Sequence, residues 1–161
     1  MSDTLTLKFP AMERYAQSSR LEVSFTRIST DELSVSISAT VGTFRNSAGP
    51  LEFTARTLCY GYDLAEFARE LEQLHTRYDG SAKFLNHVES FELCLTLADK
   101  GHGILAVVAR YEHDTDCMSP VELRCFRLEQ SYLSGLLSDI RRFLAESGVS
   151  TTDPFEHAPS A

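Results

Sequence analysis

The sequence predicts an α+β fold: a largely antiparallel β-sheet of about seven to eight strands, with two amphipathic helices packed on it. Three observations predict it. Apolar and polar residues alternate at period two through most of the chain. Two stretches switch to helical spacing instead. The breaks between neighbouring period-two runs are short turn clusters, which join strands antiparallel.

The first half reads as strands. Leu5, Leu7 and Phe9 alternate with Thr6 and Lys8. After a polar break, Leu21, Val23 and Phe25 alternate with Glu22, Ser24 and Thr26. Leu33, Val35, Ile37, Ala39 and Val41 then alternate with Ser34, Ser36, Ser38 and Thr40, which puts one face in a core and the other in water. Thr30-Asp31-Glu32 is the turn between these two runs and predicts an antiparallel pair. Asn46 to Pro50 is a turn cluster. A fourth strand carries Leu51, Phe53, Ala55, Thr57 and Cys59 on one face, and Gly61 breaks its pattern.

A helix follows. Asp63 is a good N-cap with Glu66 three residues on, an approximate capping box. Leu64, Phe67, Ala68, Leu71, Leu74 and Tyr78 recur at helical spacing, and Arg69, Glu70, Glu72, Gln73 and Arg77 take the wet side. Gly80 is read as a left-handed cap closing it.

Strand signals then return. Residues 82–85 form a short run, and Phe91, Leu93, Leu95 and Leu97 alternate with Glu92, Cys94 and Thr96. Residues 104–111 are apolar on both faces, which places that strand inside a sheet. A polar loop spans 112–120, and Val121, Leu123 and Cys125 begin the last strand. The second helix starts near Ser131, carries Leu133, Leu136, Leu137, Ile140, Phe143 and Leu144 on one stripe, and ends at Gly148. One α+β domain over 1–148 and a loose polar tail over 149–161 are expected.

Charge narrows the function classes. The net charge is −8 and the isoelectric point about 5.1. Such a chain repels phosphate backbones, and it carries no local basic patch, so nucleic acid is not an expected partner. An acidic surface suits a basic protein, or simply keeps the chain soluble. Cys59, Cys94, Cys117 and Cys125 form no C-x-x-C pair and read as free thiols of a reducing cytoplasm. The first residues, Met1 to Leu5, lack the basic and apolar regions of a signal peptide. The longest apolar run, 104–109, is too short to span a bilayer, so no membrane partner is expected.

No catalytic constellation stands out, and neither a cofactor nor a metal is expected. His113-Asp114-Thr115-Asp116-Cys117 holds three ligand types, but no second His or Cys sits at a paired spacing. The remaining histidines share no motif, and the cysteines in strand runs read as small core residues. Nucleophile-elbow, P-loop and zincin motifs are all missing. Gly101-His102-Gly103 lacks the strand-to-helix setting of a phosphate cradle.

The stretch from Tyr62 to Leu144 carries a recognisable order of motifs. Tyr62-Asp63-Leu64-Ala65-Glu66-Phe67 leads into a helix, followed by Gly80 and Ala82 and the strand Phe91-Glu92-Leu93-Cys94-Leu95. Then come Lys100-Gly101-His102-Gly103 and, before the closing helix, Phe126-Arg127-Leu128-Glu129-Gln130-Ser131-Tyr132-Leu133. In this the chain resembles the WapI-type immunity proteins and their uncharacterised relatives. The resemblance implies a small cytoplasmic protein that neutralises a cognate polymorphic toxin, often a nuclease, without itself being an enzyme. The motif residues cap helices and supply turns, so they mark a fold.

The expected contact surface is acidic and loop-borne: Glu112, Asp114 and Asp116, with Glu66 and Glu70 behind them. Two rival readings stand beside it. A structural or regulatory subunit would bind through an exposed sheet edge, with Leu33 to Val41 as the candidate strand. A small-molecule binder would need a largely apolar pocket between sheet and helices with convergent polar groups. A homodimer is a further partner the sequence leaves open.

Overall fold

The computed structural model describes residues 3–10, 20–41, 51–98, 104–112 and 121–156. In chain order the elements are β1 (Thr4–Pro10), β2 (Arg20–Arg27), β3 (Glu32–Val41), β4 (Leu51–Tyr60), α1 (Gly61–Arg77), β5 (Gly80–Leu85), β6 (Phe91–Ala98), β7 (Ile104–Tyr111), β8 (Val121–Glu129) and α2 (Tyr132–Ser147). The fold is α+β, as the sequence predicts. The strands divide into two antiparallel meanders, β1-β2-β3-β4 and β5-β6-β7-β8, because α1 interrupts the chain between β4 and β5.

Period two decides which side chains are buried. Leu5, Leu7, Phe9, Leu21, Val23, Phe25, Leu33, Val35 and Ile37 of the first sheet face inward. Phe84, Phe91, Leu93, Leu95, Leu105 and Val107 do the same in the second. Both inner faces and one stripe of each helix share one core. Phe84 is its hinge point: its ring meets Phe25 at 5.4 Å, Phe67 at 5.9 Å and Phe91 at 6.0 Å, joining both sheets and α1. β7 lies between β6 and β8, in keeping with its apolar run. Between β7 and β8 the register skips at Val107 and Val108, which pair with Phe126 and Arg124 and leave Cys125 as the extra residue of β8. This bulge shifts the alternation, so that Arg124 and Arg127 are both exposed.

Several local expectations need correction. Helix α1 starts at Gly61, so Asp63 is not the N-cap; it is the third residue of the helix, and its Oδ2 accepts the Tyr60 N–H at 2.8 Å. The carboxylate still satisfies a backbone donor at the helix start. Tyr78 does not belong to the buried stripe. It takes the left-handed cap position, with φ 54°, and is half exposed, while Gly80, at φ 103°, opens β5. Strand β3 is internal, paired to β2 and to β4 along its length, so its backbone groups are spent on neighbours. Leu33 to Val41 therefore offers no edge for an added strand.

The body also continues past Gly148. Val149 is buried, and the Ser150 N–H donates to the Thr30 carbonyl at 2.7 Å. Gly61 makes room for this: a Cβ there would lie 2.4 Å from the Ser150 carbonyl oxygen. The residues just after α2 are thus held where the sequence alone suggests a loose tail.

Candidate partner-binding surface

The turn between β5 and β6, residues 86–90, is the most elaborately held feature among the described residues. Asn86 sits at its base and is 1% exposed. Its Nδ2 reaches Thr57 Oγ1 at 3.0 Å, the Leu58 carbonyl at 2.9 Å and Ser90 Oγ at 3.0 Å. Its Oδ1 accepts the Phe91 N–H at 2.8 Å. Thr57 and Ser90 also bond each other at 2.6 Å. One amide thus pins the turn to β4, across the gap between the sheets. A buried amide with its polar atoms satisfied rigidifies what it touches. The turn it holds includes Glu89 at φ 53°, a backbone state that L residues seldom take.

Beside the turn, His87 stacks on Tyr60, with ring centroids 4.1 Å apart. Phe155 meets Tyr60 edge-on, with ring centroids 5.9 Å apart. Asp63 Oδ2 accepts the His87 N–H at 3.3 Å and lies 3.5 Å from its Nδ1. Asp63 therefore serves the helix start and the turn at once.

On the other flank lies a shallow charged cleft of about 250 Å³, lined by Lys83, Glu89, Ser90, Glu92, Arg110 and Glu112 among others. Lys83 Nζ pairs with Glu92 at 3.1 Å, and Arg110 pairs with Glu112. The Glu112 N–H is anchored on the Ser90 carbonyl at 2.8 Å. Glu92, Arg110 and Glu122 are direct cross-strand neighbours, so signs alternate across the outer face of the second sheet. The Arg124 guanidinium beside Glu122 holds its carboxyl below the usual range, with Arg110 adding to the effect.

The structure brings some of the expected contact residues together. Glu70 accepts the Lys83 N–H at 2.6 Å, tying α1 to β5. Through Lys83 and Glu92 it is linked to the cleft that holds Glu112. Glu66 pairs with Arg69 one turn earlier on the helix. Asp114 and Asp116 lie outside the described residues, as does the rest of the 113–117 cluster. Sequence reasoning missed Asn86, because it reads as an ordinary polar turn residue. Its partners Thr57 and Leu58 lie 29 and 28 residues earlier, and no local pattern announces them.

A second cleft, about 530 Å³, opens between β1 and α2, with Lys8, Glu129, Ser131, Tyr132, Gly135 and Asp139 in its lining. Burial first, then the nearby Asp139 carboxylate, pushes the Tyr132 phenol up from its ordinary value. Cys59, on the inner face of β4, has its thiol pushed far up by burial, with the Asp63 carboxylate adding to the shift, so it is a neutral core group and no nucleophile.

No helix among the described residues is long and apolar enough to cross a membrane. Comparison with curated proteins and with solved structures finds no match. A family model does match: that of the WapI-like immunity protein family, over residues 8–147. That span runs from β1 to the end of α2 and takes in both sheets, both helices and the 86–90 turn. The chain belongs to the WapI-like immunity protein family.

Proposed function

We propose that this chain neutralises a cognate toxin, of basic and nuclease type, by binding it and covering its working surface. The family match over residues 8–147 is the observation that carries this reading. The net charge of −8 and the carboxylates around the 86–90 turn support a basic partner. In this reading the chain acts in the cytoplasm, catalyses nothing and needs no cofactor. The contact surface includes Glu112 and Glu70, with Glu66 on the same helix, and takes in Asp114 and Asp116, which follow Glu112 in the sequence.

The test is co-expression. The neighbouring genes are searched for a toxin domain, and the domain found is produced in cells with and without the chain. Survival only in its presence, with a complex of fixed stoichiometry on purification, is the expected result. Equal killing in both cells, with no complex recovered, ends the proposal.

The cleft between β1 and α2 favours one second reading, small-ligand binding. Its lining sets Leu7, Tyr132 and Leu136 beside polar side chains from β1, β8 and α2. A screen of metabolites by thermal shift, repeated with Gly135→Leu to fill the cleft, checks it. Ligand-induced stabilisation that the variant loses is the expected outcome.

A further inference from the structure

Six large apolar side chains are exposed among the described residues, and four of them, Ile28, Leu58, Val88 and Phe155, lie at one end of the fold. The segments that carry them are bonded to one another. Leu58 lies two residues before the end of β4, and its carbonyl accepts from Asn86 at the base of the turn that lifts Val88. Phe155 packs on Tyr60, two residues beyond Leu58. The Asp31 carbonyl accepts the Gly61 N–H at 2.9 Å, which brings the β2–β3 turn alongside. Phe155 is 63%, Val88 55% and Leu58 42% exposed. Side chains of this size gain from leaving water, and an apolar group clustered in this way marks a contact site.

The rim of this cluster is one-sided. Residues 27–32, 56–63, 86–90 and 149–156 supply Asp31, Glu32, Asp63, Glu89, Asp153 and Glu156 against two guanidiniums, Arg27 and Arg56. The Arg27 guanidinium is already engaged, donating to the Ser29 and Ser147 carbonyls. An apolar centre ringed by carboxylates fits a surface whose apolar centre is ringed by lysines and arginines. The support beneath it is rigid, because Asn86 fixes the turn and the Asp153 carboxylate accepts the Phe155 N–H at 2.8 Å. Ordering costs on binding are correspondingly low.

We infer that Leu58, Tyr60, His87, Val88 and Phe155 form the apolar anchor with which this chain seizes the basic surface of its toxin. The inference rests on the toxin-binding reading and deepens it. Apolar anchors govern how slowly a complex dissociates, and the acidic rim governs how fast it forms.

The experiment measures affinity of the full chain for the purified, catalytically inactivated toxin domain that the co-expression test identifies. Val88→Ser combined with Phe155→Ser weakens binding by at least about 30-fold, mainly through faster dissociation. Tyr78→Asn is the control. It removes another exposed aromatic ring at the far end of α1, roughly 25 Å away along the helix, and Asn tolerates the left-handed backbone there. Its affinity stays within about threefold of the parent. Asp31→Lys with Glu156→Lys slows association and flattens its salt dependence, leaving dissociation unchanged. Circular dichroism and melting temperature verify that each variant folds. If the parent binds and the Val88/Phe155 variant binds equally well, the anchor is wrong while the toxin-binding reading stands. If the parent itself binds no toxin, both fall.

Discussion

The two sheets are built alike and dressed differently. Each is a four-stranded antiparallel meander with an apolar inner face. Outside, the first sheet shows hydroxyls: Thr4 bonds Thr26 at 3.1 Å, Thr6 bonds Ser24 at 2.9 Å, and Ser34, Ser36 and Ser38 continue the pattern along β3. The second sheet shows charges in alternating sign, from Lys83 through Glu92 and Arg110 to Glu122. Hydroxyls satisfy one another at short range and project little field, and the charges of this face are set among them, Lys8 opposite Glu22 and, on β4, Glu52 and Arg56. A charge ladder projects a field, and salt tunes it. The inner faces make the two halves one fold; the outer faces make them chemically distinct surfaces.

The strongest way to break this comparison is to attack what the sheets share. Phe84→Ala empties the point where Phe25, Phe67 and Phe91 converge. It should cost about 4 kcal/mol in denaturant unfolding, with both sheets melting in a single transition. Two separated transitions would mean that the halves are independent. Asn86→Ala removes the amide that crosses between β4 and the 86–90 turn. The loss expected is about 3 kcal/mol, since buried partners are left unsatisfied. Its binding defect should exceed what the stability loss explains, because the turn is released.

Thiols sharpen the contrast between inside and outside. Cys59 lies on the inner face of the first sheet, and Cys94 sits half-buried on the outer side of the second. In native protein a thiol reagent should consume Cys94 while Cys59 stays unmodified until the chain unfolds, as peptide mass spectrometry will read. The sign of the pH effect follows from the raised Cys59 value. A neutral thiol buried in the fold contributes fully below the ordinary thiol pKa, and that contribution is lost as alkali ionises thiols in the unfolded chain. Stability should therefore fall above roughly pH 9, and less so in Cys59→Ala.

The smallest effects separate the two outer faces most directly. Thr6→Ala and Lys83→Ala should each change stability by no more than about 0.5 kcal/mol. Only the Lys83 change should shrink on adding salt, because only it removes a screened ion pair. Equal salt dependence in the two variants would erase the distinction drawn between the sheets.

Much of the fold was legible in the sequence. Strict alternation in β1, β2 and β3 marks one wet and one dry face in each, and burial follows it residue by residue. The stripe from Leu133 to Phe143 marks α2, and Gly148 closes it at φ 65°. Less of the candidate surface was legible. Glu112 and Glu70 were readable as exposed acids, but their link through Lys83 and Glu92 needs α1 laid beside β5. Val88 and Phe155 look like scattered apolar residues in polar segments, and only folding brings them to one end. Asp63 was legible as a helix-start acid and illegible as the acceptor for His87.

Periodicity by itself therefore determined the α+β class, the core residues and the helix stripes, because these depend on whether a side chain prefers water and on how often it recurs. Net charge likewise needed no structure. Tertiary structure alone decided that the strands split into two meanders, that β3 is internal, that Gly61 admits Val149 and Ser150, and that Asn86 bridges the sheets. Each of those depends on segments far apart in the chain meeting at hydrogen-bond distance. A local pattern carries no record of its distant partner, so such meetings become readable only once the chain has closed on itself.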